Sequence, residues 1–251
     1  MHRYPFTFTG LVCLAIAAHA NAAGVSAGAT YWNFDISGTA RYKTGNSAND
    51  IDVDHDLGYK DGSSNVFQAA LEHPVPILPN LRLAYTDIDE NASGRLTKSV
   101  VYGGTTFQAD EAVSSSVRLK QTDVTLYYSL LKSVLDLDLG MTAKYVDSKL
   151  RITGATSGTE TAQISAWVPM VYAGVGVDLP LRGLSLGAEG SGVTYSGSRF
   201  YDFTVRANYL TAWRLGIDVG YRRVRLDLDD FDDSFAKVTF EGPFAGAYLH
   251  F

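Results

Sequence analysis

The chain has 251 residues and a formal net charge of −6, from 21 basic and 27 acidic side chains. Because an acidic chain lacks the basic surface that attracts a phosphate backbone, we expect no nucleic-acid partner. Its single cysteine lies within the N-terminal segment that we expect to be removed, so the mature protein would have no disulfide bond and no catalytic thiol.

Residues 1–22 are typical of a signal peptide. Arg3 precedes an apolar run at positions 10–18, and the Ala-Asn-Ala motif at 20–22 provides the small residues that a signal peptidase requires. A membrane anchor is the alternative, but the run is much shorter than the ~20 residues that a spanning helix needs. We therefore predict an exported protein with a mature chain of residues 23–251.

The mature sequence shows the period-two alternation of β-strands, in which successive side chains point to opposite faces. Three segments alternate clearly between apolar and polar or small residues: 135–145, 201–209 and 215–221. Weaker alternation covers residues 30–36, 67–71, 81–85, 124–130, 167–177 and 184–188. With the C-terminal segment this predicts about ten strands, and an even number returns both termini to one side of a closed barrel. Eight strands are the alternative, because the Gly-rich stretch 184–195 changes phase near Gly192.

The connections between these segments alternate in length, as they do in transmembrane barrels. Short turns, expected on the periplasmic side, are predicted at 74–80, 131–133, 179–183 and 211–213. Longer polar loops, expected outside the cell, are predicted at 37–65, 87–116, 154–160 and 229–234.

A soluble periplasmic β-sandwich is the competing fold, since it also alternates apolar and polar residues. A sandwich core favours Val, Ile and Leu, whereas the apolar face here carries aromatic residues near strand ends, where interfacial girdles form. These residues are Trp32, Tyr85, Tyr145, Trp167, Tyr201, Tyr209 and Tyr221. The sequence therefore predicts an all-β fold, a closed antiparallel transmembrane β-barrel. We expect it to be a monomer in the outer membrane, in contact with lipid and lipopolysaccharide.

The C-terminus resembles the terminal strand of bacterial outer-membrane barrels. The final residue is the aromatic Phe251, Leu249 is apolar two positions earlier, and Gly246 has the expected spacing. Phe244 departs from the pattern, since a polar residue is usual there. The resemblance implies that the barrel-assembly machinery recognises this strand by edge pairing.

More of the mature chain resembles a poorly characterised family of proteobacterial outer-membrane β-barrel proteins. This family occurs in genomes that carry GlyGly-type C-terminal sorting systems. The resemblance depends on residues 50–58 (DIDVDHDLG), residues 72–76 (EHPVP), residues 78–83 (LPNLRL) and Phe251. It implies a fold and a location, and it carries no activity over to this chain.

Acidic side chains cluster at two predicted exterior tips. As a strand, residues 50–57 would hold four carboxylates on one face, from Asp50, Asp52, Asp54 and Asp56. The second tip contains Asp229, Asp230, Asp232 and Asp233. An EF-hand loop needs Gly at its sixth position, where His55 stands, so that motif fails. We favour solvated strand ends; the alternative is Ca²⁺ or Mg²⁺ shared with lipopolysaccharide phosphates, and no other cofactor is expected.

The polar face predicts a lumen that contains charges of both signs. They are Asp35, Glu72, Arg82, Asp136, Asp138, Lys144, Asp178, Glu189, Arg206, Asp218 and Arg222. Asp35 is included among the lumen residues because we assign Trp32, Phe34 and Ile36 to the lipid face, and Asp35 alternates with them. An unpaired charge in a narrow interior is costly, so these side chains should pair with one another. We predict a mostly plugged structural or surface-binding barrel, with a narrow channel for small solutes as the alternative.

An outer-membrane hydrolase is the less favoured possibility. Asp87 and Asp89 resemble the acidic pairs of protease barrels, but such a site also needs a histidine, and only His55 falls on the exterior side. Barrel-type lipid A deacylases need a His-Ser pair in one strand, which we do not find. We predict that the protein is not an enzyme.

Overall fold

The computed structural model describes residues 24–44, 46–75, 77–132, 135–231 and 233–251. The predicted signal peptide and its cleavage site lie outside these residues. Within them, no helix is long and apolar enough to cross a bilayer. The strands are β1 (Gly24–Tyr42), β2 (Ile51–Asp52), β3 (Asp61–Glu72), β4 (Asn80–Arg95), β5 (Val100–Tyr102), β6 (Thr105–Phe107), β7 (Ala112–Lys132), β8 (Leu135–Gly154), β9 (Gly158–Asp178), β10 (Leu184–Tyr195), β11 (Ser198–Leu210), β12 (Leu215–Phe231) and β13 (Ser234–His250).

The described strands form a closed antiparallel barrel. The main sheet has eleven strands, of which β2 is a two-residue strand beside β1, and β13 pairs with β1 to close the ring. The other ten strands confirm the predicted barrel. The alternative of eight strands is wrong, because Gly-rich β10 pairs with β11 along its whole length. The hairpin of β5 and β6 is a separate small sheet whose residues Val100, Tyr102 and Phe107 are buried in the hydrophobic core.

Both chain ends of the barrel lie at the end that carries the short turns. The Phe251 N–H donates to the Val25 carbonyl at 2.8 Å, and the Val25 N–H donates to the Phe251 carbonyl at 3.2 Å. We designate this end periplasmic and the opposite end extracellular. The predicted turns at 179–183 and 211–213 are confirmed as connections between strands.

At the extracellular end the strands extend further than the sequence predicted. β4 continues to Arg95 and β7 begins at Ala112, so much of the predicted loop 87–116 is barrel wall. β1 likewise continues to Tyr42, and β3 begins at Asp61, which shortens the predicted loop 37–65. These extensions place polar side chains outward, so their sequence is as polar as that of a loop although they are barrel wall.

The apolar pattern of β1 changes face along the strand. Near the periplasmic end its outward residues are apolar, whereas further along Trp32, Phe34 and Ile36 are buried inside the barrel. Asp35 is exposed on the outer face, opposite Glu241 of β13. The predicted places of Trp32 in a lipid girdle and of Asp35 in the lumen are therefore wrong. Above the membrane the outer wall contacts water, so the apolar side chains turn to the interior.

The wall is tallest at β7, β8 and β9, which have 21, 20 and 21 residues. β10 and β11 have 12 and 13 residues and form the low side of the rim. β9 pairs with β10 only up to Val171. Pro169 lies two positions beyond this end and has no N–H to continue the ladder.

Candidate functional site

The outer wall carries a continuous apolar belt around its periplasmic half. The three segments with clear alternation have the predicted outward faces, and Trp167 and Val171 are 62% and 68% exposed. Tyr145 and Trp167 pack side by side at the upper edge of the belt, with ring centroids 5.2 Å apart. Other exposed members are Phe67, Leu83, Tyr85, Leu126, Met141, Tyr201, Phe203, Val205, Tyr209, Ile217, Val219 and Tyr221. A belt of this kind is stable in contact with lipid and unfavourable in contact with water.

Inside the belt, three predicted lumen residues form one cluster around Glu189. Arg82 of β4 and Arg206 of β11 each pair with a different oxygen of this carboxylate. Tyr172 of β9 donates to Glu189 at 3.0 Å and accepts from Arg82 at 2.9 Å. This Glu189 cluster joins four strands across the lumen and pairs two cations with one carboxylate, so charges of opposite sign do meet inside the barrel.

A second cluster lies nearer the extracellular end, around Asp202. Its carboxylate accepts from Arg222 at 2.7 and 3.0 Å and from Lys144 at 2.9 Å. Lys144 is fully buried and also donates to Asp123 at 2.6 Å. The two cations of this Asp202 cluster are among the predicted lumen residues, and its two carboxylates are not. Asp202 has the inward phase of its strand, so the alternation of 201–209 contained the signal.

A cavity of about 100 Å³ lies between the two clusters, bordered by their charged side chains and by apolar residues such as Trp32 and Phe244. Asp218 borders it and is 1% exposed, and its Oδ1 atom has no hydrogen-bond partner within the described residues. At Gly246 a Cβ atom would lie 2.5 Å from Asp218 Oδ1 and 2.5 Å from Thr30 Oγ1. Gly246 therefore fits this position by size, while Leu249 and Phe251 are exposed on the outer wall. Recognition of these three residues by the assembly machinery stays a prediction.

The periplasmic part of the lumen is acidic. Glu72 accepts a hydrogen bond from Tyr127 at 3.3 Å, and Asp138 accepts one from Ser129 at 2.7 Å. Asp136 is half-buried on the same inner face. Asp178 is the last residue of β9, at the periplasmic end of the barrel. It is exposed there and has no ion pair within the described residues, so its predicted place in a paired network is wrong.

The extracellular half of the interior is filled by apolar side chains, which we name the apolar plug. Trp32 packs against Phe34 with ring centroids 4.7 Å apart, and Phe34 packs against Phe240 at 5.7 Å. The loops between β1 and β3 and between β4 and β7 contribute further buried residues. The plug includes Trp32, Phe34, Ile36, Ile51, Val53, Leu57, Ile88, Leu96, Val100, Tyr102, Phe107, Leu119, Ile152, Phe200, Val224 and Phe240.

Two buried carboxylates hold the extracellular loops onto the plug. Asp56 is 2% exposed and accepts from the Thr97 N–H at 2.9 Å and the Thr97 hydroxyl at 2.7 Å. Glu111 accepts from the Ser157 hydroxyl at 2.6 Å, and from the N–H groups of Gln108 at 3.0 Å and Thr156 at 2.8 Å. These hydrogen bonds lower the pKa of Glu111 to about 2. Asp56 thus belongs to a loop contact and not to an exposed acidic face.

The predicted strand over residues 50–57 is wrong. Only Ile51 and Asp52 are in a strand, and the Asp52 carboxylate accepts from the Asp54 and His55 N–H groups, which turns the chain. Asp50 pairs instead with Arg41 at 2.8 Å. The four carboxylates therefore do not share one face.

Three side chains of this turn form the remaining candidate for a metal site. Donor atoms of Asp52, Asp54 and His55 lie within 4.8 Å of one another. The hydrogen bond to Asp52 and the charge of Asp54 raise the pKa of His55. Two carboxylates and an imidazole are few oxygen ligands for Ca²⁺, which takes six to eight. Binding of Ca²⁺ or Mg²⁺ stays a prediction, which calorimetric titration of Ca²⁺ into the refolded protein would test.

The remaining acidic candidates lie at the second tip and on the outer wall. Asp229, Asp230 and Asp233 are exposed at the second tip, and Asp232 lies outside the described residues. On the outer wall, Asp87 is 3.7 Å from Lys120 and Asp89 is 2.6 Å from Arg118. The two outer-wall carboxylates therefore face away from the barrel interior.

No family model and no curated protein matches the chain. Among solved structures, it is similar to the outer membrane protease OmpT of Escherichia coli, with a TM-score of 0.57 and 11% identity over 91% of this chain and 97% of that one. It is also similar to the translocator domain of the autotransporter NalP from Neisseria meningitidis, with a TM-score of 0.48 and 10% identity over 93% and 90% of the chains.

A third similar structure is the attachment invasion locus protein Ail of Yersinia pestis, with a TM-score of 0.40 and 10% identity over 91% of this chain and 99% of that one. At these identities the likeness shows the fold alone. The closed ten-strand barrel, its outward apolar belt and this shared fold together show that the chain is a β-barrel protein of the outer membrane.

Proposed function

We propose that the protein is a closed, non-conducting barrel that acts in the envelope through its exterior surface. The observation that carries this proposal is the apolar plug. Leu57 and Phe107 are 0% exposed, and Trp32 and Phe34 are 1% exposed, so side chains fill the extracellular half of the interior. A hydrated ion would have to enter this region without polar partners, which is strongly unfavourable.

The ion pairs below the plug support the same proposal. Lys144, Asp202 and Arg222 satisfy one another across the lumen, so a permeating ion would have to displace paired charges. The cavity of about 100 Å³ between the two clusters favours a narrow channel as the second candidate, because charged side chains of both clusters border it. That candidate requires the plug to move aside.

Planar-bilayer recording separates the two candidates. We expect the refolded protein to give no steady single-channel steps. A variant without the β5–β6 hairpin, residues 99–108, loses Tyr102 and Phe107 from the plug and should give at most brief openings, because the ion pairs below the plug remain. The matched control is Tyr201→Ala, which removes an aromatic side chain from the lipid-facing wall and should be as silent as the unaltered protein. Steady steps from the unaltered protein would overturn the proposal.

The exterior surface that we propose to be functional is acidic at both tips. Asp54, Asp229, Asp230 and Asp233 carry negative charge near the rim, and Asp110 adds to it from the loop before β7. Such a surface attracts cationic groups of other envelope components. Salt-sensitive binding of a polylysine peptide, and no binding of polyglutamate, would support this part of the proposal.

We further propose that the protein has no hydrolytic activity. The Asp87 and Asp89 carboxylates pair with cations on the outer wall, and His55 lies in a loop turn beside Asp52 and Asp54. Turnover on incubation with peptide or lipid substrates would contradict this. The resemblance to the family associated with GlyGly-type sorting systems, the monomeric state and the assembly signal also stay predictions.

A further inference from the structure

The tall wall of the barrel carries a cleft of basic side chains on its outer side, above the apolar belt. Arg118 and Ser116 of β7 and Lys149 and Arg151 of β8 border it together with Asp89 of β4, and its volume is about 230 Å³. The strand register places Arg118 directly opposite Lys149, and Ser116 opposite Arg151. Two neighbouring strands thus present three cations to one outward-facing space, which we name the wall cleft.

The charges of the wall cleft are not balanced from within. Arg118 donates to the Asp89 carboxylate at 2.6 and 3.1 Å through two nitrogens, which orients its guanidinium. Lys149 and Arg151 have no ion pair in the part of the chain that the structure describes. The residues that border the cleft are three cations and one carboxylate, and the carboxylates of Asp87 and Asp147 also act on Arg118 from outside it, in a protein whose formal net charge is −6. Cations outnumber carboxylates at the lining of the cleft itself, which favours a ligand that is negatively charged.

The height of the wall cleft indicates where that ligand comes from. Tyr145 and Trp167 mark the upper edge of the apolar belt, and Lys149 and Arg151 follow Tyr145 on the same strand face by four and six positions. At about 3.3 Å per residue along a strand tilted by roughly 40°, the two cations lie on the order of 10 to 15 Å above Tyr145. Their long side chains can reach down toward the headgroup layer, in which lipid phosphates are found.

We propose that the wall cleft binds a phosphate group of lipopolysaccharide, the anionic glycolipid of the outer leaflet. Arg118 and Arg151 would donate pairs of hydrogen bonds to the phosphate oxygens, a geometry that guanidinium groups favour, and Lys149 would add a point charge. Ser116 offers a hydroxyl donor beside Arg151. The inference depends on the place of the barrel in the outer membrane and not on whether its lumen is closed, so lipid binding and conductance can fail separately.

The opposite wall provides a matched control. Arg223 and Arg225 of β12 have the same spacing and the same outward direction as Lys149 and Arg151. However, Arg223 pairs with Glu241 at 3.2 Å, and Arg225 lies 3.9 Å from Asp227. The two basic pairs therefore have equal formal charge but different neutralisation by nearby carboxylates.

The test measures binding of hexa-acylated lipid A to the refolded full chain in detergent by native mass spectrometry. Three proteins are compared: the unaltered chain, the Lys149→Gln/Arg151→Gln variant and the Arg223→Gln/Arg225→Gln variant. We expect the first variant to bind bisphosphorylated lipid A about tenfold or more weakly, as expected from the loss of a charged hydrogen bond. The second variant should bind it as well as the unaltered protein. Removing both phosphates from lipid A should abolish the difference among the three proteins.

Several results would overturn the proposal. They are equal loss of affinity in both variants, no loss in either, and equally tight binding of the dephosphorylated lipid. Binding of phosphatidylglycerol as tight as that of lipid A would also overturn it, since it would show a general attraction to anions. Heat-modifiable gel mobility establishes that each variant is folded, and Arg151→Gln alone serves if the double variant fails this criterion.

Discussion

The interior of the barrel differs sharply between its two halves, and so does its outer wall. In the periplasmic half the outer wall is apolar and the interior contains ion pairs such as Arg82–Glu189 and Lys144–Asp202. In the extracellular half the outer wall carries charges such as Arg118 and Asp89, while the interior is an apolar core. The same strands thus contact lipid in one half and water in the other. In each half the outward side chains match the polarity of that surrounding medium. The lesson is that strand alternation shows the two faces of a barrel but not which face is inside.

The largest expected effect comes from truncating the extracellular core at Trp32. This residue is 1% exposed, donates from Nε1 to the Gly242 carbonyl at 3.2 Å and stacks beneath the Arg222 guanidinium at 4.7 Å. Trp32→Ala should lower the free energy of unfolding by about 3–5 kcal/mol, as in other buried aromatic truncations. Urea unfolding in lipid vesicles measures it. Trp213→Ala is the control, because Trp213 is 89% exposed in a turn and should change stability little.

A similar but smaller loss is expected from the Asp202 cluster. Asp202→Asn leaves Lys144 and Arg222 buried with one carboxylate, Asp123, within reach of Lys144. Removing one partner of a buried ion pair costs about 3 kcal/mol or more. Asp227→Asn on the outer wall removes a partner of the exposed Arg225 and should cost less than about 1 kcal/mol. Equal unfolding free energies for the two variants would contradict the assignment of Asp202 to the interior.

The boundary between the two halves can be located by adding charge to the outer wall. Val219 is half exposed in the apolar belt, so Val219→Arg places a guanidinium in lipid and should cost about 2–4 kcal/mol. Ser93 is exposed on β4 beyond the belt, and Ser93→Arg should be nearly neutral. Unfolding of both variants in the same vesicles gives the comparison. An equal loss in the free energy of unfolding for the two variants would show that the outer wall contacts the same medium at both positions.

The smallest expected effect is local and depends on pH. The pKa of Glu111 falls from 4.5 to about 2 through its hydrogen bonds with Ser157, Gln108 and Thr156. Since the folded-state pKa is lowered, the stabilisation is fully present above 4.5 and is lost as the pH falls through about 2. Hydrogen exchange of residues 155–158 should quicken over that window after correction for intrinsic rates. A Glu111→Gln variant should lack the transition, and a transition in that variant would assign it to another group.

The membrane-facing strands could be predicted from sequence because lipid and lumen impose a strict alternation on them. Segments 135–145, 201–209 and 215–221 have the expected faces for this reason. β1 was misjudged, because it continues past the belt and carries its largest apolar residues, Trp32 and Phe34, inward. The extracellular wall was taken for loops because its outward residues are polar. Where a strand continues beyond the membrane, its outer face is no longer apolar. Hydropathy therefore does not show how far the strand extends.

The candidate site was predictable in part. Charges of both signs on one strand face predicted internal pairing, and Arg82, Lys144, Glu189, Arg206 and Arg222 do pair. The alternation of 201–209 indicates that Asp202 points inward, but which strands face one another across the lumen depends on barrel closure, so the pairing of Asp123 and Asp202 with Lys144 and Arg222 could not be assigned from local sequence. The acidic run 50–57 failed as a strand because Asp side chains also bond to nearby backbone N–H groups and favour turns.

Quenching of single tryptophans tests the two-solvent account most directly. Variants that retain only Trp167 or only Trp32, with Phe at the other tryptophan positions, are reconstituted in vesicles that contain brominated lipid. We expect the bromine atoms to quench Trp167, which lies in the belt, and expect Trp32 to be protected from both brominated lipid and aqueous iodide. Strong quenching of Trp32 by lipid, or quenching of Trp167 by iodide alone, would contradict the account.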